Sequence, residues 1–162
     1  MCAERLRVPE GAERLDYLFD IDMRYVGETV DLHPHGDGIG EWFGVLEGAI
    51  RGPRLTGRLR WANHSRQRED GVWCPDAHGV VTTEDGAQIL MTMRGYNIPA
   101  KVSGEKGSVV ATCTFSSSEA KYRWLNNVIA VVEGTRDPER NETRLKAYAC
   151  VNETITRSPT LA

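Results

Sequence analysis

Apolar and polar residues alternate along most of this chain, and a period of two means strands whose two faces meet different surroundings. Leu15, Tyr17, Phe19, Ile21 and Met23 share one face, with Asp16, Leu18, Asp20 and Asp22 between them. Val109, Ala111, Cys113 and Phe115 repeat the pattern, and Leu145, Ala147, Ala149 and Val151 form the last strand. Residues 128–133 are apolar on both faces, and Trp42, Phe43, Val45 and Leu46 begin a further strand that Gly48 interrupts. Gly52-Pro53 marks a turn or bulge. Residues 27–40 and 97–107 are rich in glycine and proline and read as turns or loops, and 136–141 as a polar turn. Ser116-Ser117-Ser118-Glu119 has the composition of a helix N-cap, predicting one short helix that ends near Asn126-Asn127.

The centre of the pattern is residues 59–96, three extended runs separated by Asp70-Gly71 and Asp85-Gly86. Asp-Gly between extended runs signals a two-residue type I′ hairpin. Two such turns would put Trp61, Asn63 and Ser65 on one face with Cys74, Asp76, His78, Val80 and Thr82, and with Ile89, Met91, Met93 and Gly95. The other face would carry Arg60, His64, Arg66 and Arg68, with Trp73, Ala77, Gly79, Val81, Leu90, Thr92 and Arg94. The first face combines an apolar wall with an Asp, a His and an Asn, as a small-molecule pocket does.

The whole adds up to about eight or nine short strands and one brief helix. No segment offers a crossover helix, so the class is all-β and the sheet antiparallel, closed into a barrel or folded as a sandwich. An eight-stranded barrel is just wide enough to hold one small ligand, and the mixed inner face favours that version. Residues 1–14 read as a loose arm, 15–155 as one domain and 156–162 as a tail.

Composition narrows the function. The 162 residues are 40% hydrophobic and 27% charged, with net charge −3, as in an ordinary soluble domain. No basic stripe suits nucleic acid, and no apolar run is long enough to span a bilayer. The first fifteen residues lack the apolar stretch of a secretory signal, which leads to the expectation of a cytoplasmic protein. Cys2, Cys74, Cys113 and Cys150 show no C-x-x-C spacing and read as reduced thiols in or near the core.

Asp76 and His78, two apart on a strand, are the candidate proton movers: imidazole passes a proton near neutral pH, and a carboxylate beside it orients the ring. Asn63 would orient an oxygen, and Trp61, Ile89, Met91 and Met93 would hold a flat apolar ligand. Arg54 would clamp an anionic group and Trp42 gate the mouth. Tyr122, Trp124 and Leu125 on the short helix would plug one barrel end. His33, His35 and Glu41 come close to the first metal motif of cupins, a set that suits iron, manganese or zinc. The spacer before Glu41 is one residue too long and no second motif follows, so no metal and no cofactor are expected. Gly36-Asp37-Gly38-Ile39-Gly40 lacks the spacing of a dinucleotide fingerprint and reads as a turn at the barrel mouth.

Several of these runs resemble one family. LEGAIRGPRLTG at 46–57, Arg68-Glu69-Asp70-Gly71-Val72, Asp76-Ala77-His78 and Thr82-Thr83-Glu84-Asp85-Gly86 look like the domain of unknown function 3237 family, and so do Phe115 and Ala120-Lys121-Tyr122-Arg123-Trp124-Leu125-Asn126. The resemblance implies a single calycin-like antiparallel β-barrel, usually a homo-oligomer. It also implies kinship with cofactor-free cyclases that add a hydroxyl across a carbon–carbon double bond. Two stretches depart from the family pattern, with Asp76-Ala77-His78 where Asp-Ala-Arg is common and 60–64 where a Gly-Gly-Ala-Asp-Trp run is common. The leading expectation is therefore a barrel acting on an apolar, aromatic or polyketide-like metabolite by acid/base chemistry of lyase, isomerase or cyclase type. A non-catalytic binding barrel and a cupin-like metalloenzyme are the alternatives.

Overall fold

Nine strands and one helix make up residues 14–35 and 39–151, which the computed structural model describes. In chain order they are β1 (Arg14–His35), β2 (Ile39–Arg51), β3 (Thr56–Gln67), β4 (Trp73–Cys74), β5 (Asp76–Thr83), β6 (Gln88–Ile98), β7 (Gly107–Ser116), a 3₁₀ helix (Ala120–Asn127), β8 (Ile129–Asp137) and β9 (Glu142–Val151). Each long strand pairs antiparallel with the next, and β9 returns to β1, so eight strands close into a barrel. Closure leaves the sheet without free edges. The short β4 continues the line of β5 in the same register against β3 and β6. Pro75, which has no N–H to give a ladder, separates the two.

Burial follows the alternation closely. Every second residue of β7 is buried, from Gly107 through Val109, Ala111, Cys113 and Phe115. The same holds for Leu59, Trp61, Asn63 and Ser65 on β3 and for Thr143, Leu145, Ala147 and Ala149 on β9. Burial pushes the Cys113 thiol up to about 12, which makes it a chemically quiet core group. Cys74 is half-buried and Cys150 is exposed, so the expectation of core thiols holds only for Cys113 among the described cysteines.

The central meander corrects the expected faces. Both of its turns have three-residue loops, not two: Arg68 N donates to Val72 O at 2.8 Å, and Thr83 N to Ala87 O at 3.0 Å. Gly71 and Gly86 take positive φ (83° and 82°), whereas Asp70 and Asp85 do not. A type I′ turn would need positive φ at both central residues, and that costs a non-glycine residue about 1–2 kcal/mol. The longer loop asks it only of glycine. One extra residue reverses the facing of the next strand, so Asp76, His78 and Val80 leave the inner face, and Ala77, Gly79 and Val81 enter it. The second turn reverses the facing again. Ile89, Met91 and Met93 are therefore inside, with Trp61 and Asn63, as the pattern predicts.

Three further expectations change. Residues 27–35 are strand, paired with 39–43 in an extension of the β1–β2 hairpin, with irregular register between Val26 and Val30 and between Leu32 and His35. A bulge between Tyr17 and Phe19 turns Leu15 and Tyr17 outward, and Leu18 joins Phe19 and Ile21 in the core. The predicted helix is present but 3₁₀ in form. The expected arm and tail, and the glycines at 36 and 38, lie outside the described residues, apart from Arg14 in β1.

That helix closes one end. Tyr122 and Leu125 are buried against the barrel floor, where Phe19 and Phe115 pack edge to face with ring centres 6.0 Å apart. Asn126 clamps the helix by accepting Ser117 N at 2.7 Å and donating to Ser117 O at 3.0 Å. Asp85, at the tip of the β5–β6 turn, accepts the Tyr122 hydroxyl at 2.9 Å and pairs with Lys121.

Candidate functional site

The barrel interior changes character along its length. From the closed floor to the other end, the inward residues of β3 run Leu59, Trp61, Asn63, Ser65, and those of β6 run Met91, Met93, Gly95, Asn97. On β1 Met23 gives way to Tyr25, on β8 Val132 gives way through Gly134 to Arg136, and on β9 Leu145 gives way to Thr143. At that end lies a cavity of about 450 Å³, a size suited to a small molecule. Its walls include Met23, Tyr25, Trp42, Leu46, Trp61, Trp73, Ala77 and Met93, and the loop at 99–105 and the turn at 138–139 border its rim.

The polar atoms in this apolar wall form one connected group. Asn63 donates both amide hydrogens, to Tyr25 Oη and to Ser65 Oγ, each at 2.9 Å. That leaves Asn63 Oδ1 buried without a partner. Trp61 Nε1 and Asn97 Oδ1 are likewise buried and unpartnered, and among the described residues no acceptor takes the Tyr25 hydroxyl proton. A buried polar atom left unpaired costs about 1–3 kcal/mol, so native sites keep such atoms for a ligand or water. Trp42 meets the Tyr25 ring edge-on at 5.9 Å, and the Arg136 guanidinium lies 5.2 Å from its centre. Burial raises the Tyr25 pKa above the ordinary phenol value, opposed by the Asn63 hydrogen bond and the Arg136 charge. Tyr25 is therefore a neutral proton donor around neutral pH.

The sequence-predicted residues divide. Trp61, Asn63, Met93 and Trp42 line the cavity. Ile89 and Met91 are fully buried in the core below it. Arg54 stacks on Trp124, 3.6 Å from the ring centre, which places it by the plug helix at the closed end and not at the mouth. Asp76 and His78 stand on the outer wall: His78 Nε2 meets Asp76 Oδ1 at 2.8 Å, and Arg94 donates to both Asp76 oxygens at 2.8 and 3.2 Å. Arg94, first through its hydrogen bonds, holds the Asp76 carboxyl below the usual carboxylate range. Their expected position in the pocket is thus corrected, because the three-residue turn reverses β5. On the possible metal set, Glu41 is engaged by His64 Nε2 at 2.9 Å and His33 is exposed, while the His35 side chain is outside the described residues. Among the described residues no three His, Cys, Asp or Glu gather.

Tyr25, Asn97, Trp73 and Arg136 are among the cavity residues that the sequence pattern does not point to. Continuing the alternation past Met23 reaches Tyr25, past Met93 reaches Asn97, and past Val132 reaches Arg136. Each lies one or two steps beyond a glycine or a presumed strand end, where the pattern looked finished. Trp73 was missed with β5, on the same reversed parity.

A closed barrel with a helix across one end and a cavity at the other defines the class: an antiparallel β-barrel with an internal cavity. The chain belongs to the family described as protein of unknown function (DUF3237), whose pattern matches residues 13–150. The hydroalkoxylation enzyme phnH of Penicillium herquei is 35% identical over 102 residues, a match that takes in 62% of this chain and 59% of that protein, less than two thirds of its length. An enzyme of known structure from Penicillium herquei superposes with a TM-score of 0.67 at 27% identity, covering 86% of this chain and 95% of that one. A β-barrel-like protein from Acinetobacter baumannii reaches a TM-score of 0.78 at 21% identity over 86% of this chain and 97% of its own, and so shares the fold. No helix of the described residues is long and apolar enough to cross a membrane.

Proposed function

We propose that this barrel is an enzyme that adds a hydroxyl of a small, largely apolar molecule across a carbon–carbon double bond in the same molecule. The observation that carries this reading is the set of unpartnered polar atoms in a dry wall. Trp61 Nε1–H and the Tyr25 hydroxyl offer two donors to a substrate oxygen, and Asn63 Oδ1 and Asn97 Oδ1 offer two acceptors to further polar groups of the same molecule. The name of the fungal relative supports the same reaction class.

The chemistry asks little beyond positioning and proton transfer. The hydroxyl oxygen bonds to one alkene carbon, the π bond is consumed, and the hydroxyl proton ends on the other carbon. Electrons balance within the substrate, so this reading needs no oxidant or reductant. Asn63 fixes the Tyr25 hydroxyl, the indole walls hold the carbon skeleton close to the reacting oxygen, and Tyr25 delivers the proton to the far carbon. Asp76 and His78 take no part.

The test is turnover of a panel of ortho-alkenyl phenols, followed by proton NMR. Wild-type protein is expected to convert at least one of them to a cyclic ether, with Tyr25→Phe slowing the reaction by about 10²–10⁴-fold at nearly unchanged KM. Binding of the panel with the alkene signals intact would overturn the enzyme reading in favour of a non-catalytic binding barrel.

A further inference from the structure

Arg136 ends the inward row of β8 with its guanidinium in the cavity wall, and each group it bonds is neutral. One terminal nitrogen donates to Asp137 O and the other to Asn141 Oδ1, both at 3.2 Å, and the Tyr25 ring lies beneath. The charged or ionisable groups around it are Asp137, Glu139, Glu105 and Tyr25. Among the described residues none of the carboxylates pairs with it: Asp137 instead accepts Arg140 N at 3.0 Å and faces Arg140 Nε at 3.9 Å. On the outer wall, in water, Arg51, Arg60, Arg94 and Arg144 each hold a carboxylate. A cation withdrawn from water without a counter-charge is costly. Burial pulls the Arg136 pKa down, against the opposing influence of Tyr25 and Asp137. Arginine nonetheless stays protonated, so its charge faces an apolar cavity in which electrostatic attraction is strong.

A second observation points to an oxygen ligand in the same place. Trp61 Nε1–H is buried and unpartnered, and no described acceptor takes the proton of the Tyr25 hydroxyl, which Asn63 holds at 2.9 Å and whose ring the guanidinium covers. We propose that Arg136 selects the substrate class: a ring-bearing molecule whose reacting hydroxyl is acidic, a phenol or enol, bound as its oxyanion against the guanidinium. The reacting role of that hydroxyl rests on the proposed addition reaction. The selectivity itself concerns binding and stands apart from turnover. An oxyanion supplies the missing counter-charge and is the stronger nucleophile; its proton passes to solvent on binding, and Tyr25 gives one to the far alkene carbon and regains it from solvent. The flat surfaces of Trp42, Trp61 and Trp73 match its ring.

The probe that tests this is 4-nitrophenol, whose two protonation states absorb at different wavelengths, with 4-nitroanisole as its uncharged counterpart. Both are titrated into the full chain across the free probe's own titration range, reading tryptophan quenching and probe absorbance. The phenolate is expected to bind about tenfold or more tighter than the anisole, and the bound phenol to titrate about one unit or more below the free one. Arg136→Gln should bring the two probes to similar affinity, and Arg136→Lys should retain part of the preference. Equal affinity for the two probes in the wild type, an unshifted or raised bound pKa, or failure of 4-nitrophenol to bind would overturn the proposal. The wild-type comparison needs no variant, so a poorly folding Arg136→Gln protein leaves the test intact. Phenolate selectivity without turnover of alkenyl phenols would sink the enzyme reading and keep this one. Turnover without selectivity would do the reverse.

Discussion

Trp61 can lie across the barrel because the residue opposite it is glycine. A Cβ built on Gly79 would come 2.1 Å from Trp61 Cβ and 2.3 Å from Arg60 O, so no other residue fits there without moving the strand. The largest fully buried side chain thus depends on the smallest residue. On the other side of the same strand, Asp76 and His78 illustrate how residue type can mislead. A carboxylate beside an imidazole has the makings of an acid/base pair, yet both are in water and the carboxylate is bound to Arg94. Neither side chain lines the cavity, and ion pairs in water contribute little to the folded state. Asp76→Asn and His78→Ala are therefore expected to leave 4-nitrophenol affinity and any alkenyl phenol turnover within about twofold of wild type. A loss of a hundredfold in turnover measured by the same NMR assay would restore them to the chemistry.

At the scale of elements, the closed end rests on the contact between the β5–β6 turn and the 3₁₀ helix. Lys121, Thr83 and Tyr122 all donate to the Asp85 carboxylate, Lys121 most strongly, and hold its pKa far below the ordinary value. A depressed folded-state pKa contributes stability that is complete above the unfolded value, near 3.8, and drains away as pH falls below it. Thermal melts should therefore show wild type more stable than Asp85→Asn by a constant margin from neutral pH down to about pH 5, with the margin shrinking below about pH 4. Parallel curves down to pH 2 would refute the assignment. Trp124, stacked under Arg54 on this helix, gives a local fluorescence signal for the same transition. The two hairpin turns are also decided at this scale. Asp-Gly marks where each turn lies, but the count of linking residues depends on which backbone angles an aspartate will accept.

As a whole molecule, the barrel is sealed at one end and open at the other, so a ligand stabilises it by binding only the folded form. At a free ligand concentration a hundred times Kd that gain is about 2.7 kcal/mol. In a chain of this size each kcal/mol moves Tm by roughly 2–4 °C. Saturating 4-nitrophenol is expected to raise the wild-type Tm by several degrees, and the rise should follow the logarithm of its concentration. Absence of any rise in a calorimetric scan, with binding confirmed by fluorescence, would mean that the probe sits on the surface or binds the unfolded chain equally.

The sequence by itself determined the strand periods, the absence of crossover helices, the position of the two meander turns, and the inner rows on β3 and β6. These are local properties, written in which neighbours alternate and which residues tolerate a bend. Only the tertiary structure decided which way β5 faces, which end is sealed, and that Tyr25 and Arg136 meet beside Asn63. Facing is set by the parity of a turn, and in this meander two three-residue loops offset one another, so the outer pair of strands came out right while the middle one was reversed. The meeting of Tyr25 with Arg136 requires β9 to pair with both β1 and β8, a closure between distant parts of the chain. No local pattern encodes that closure.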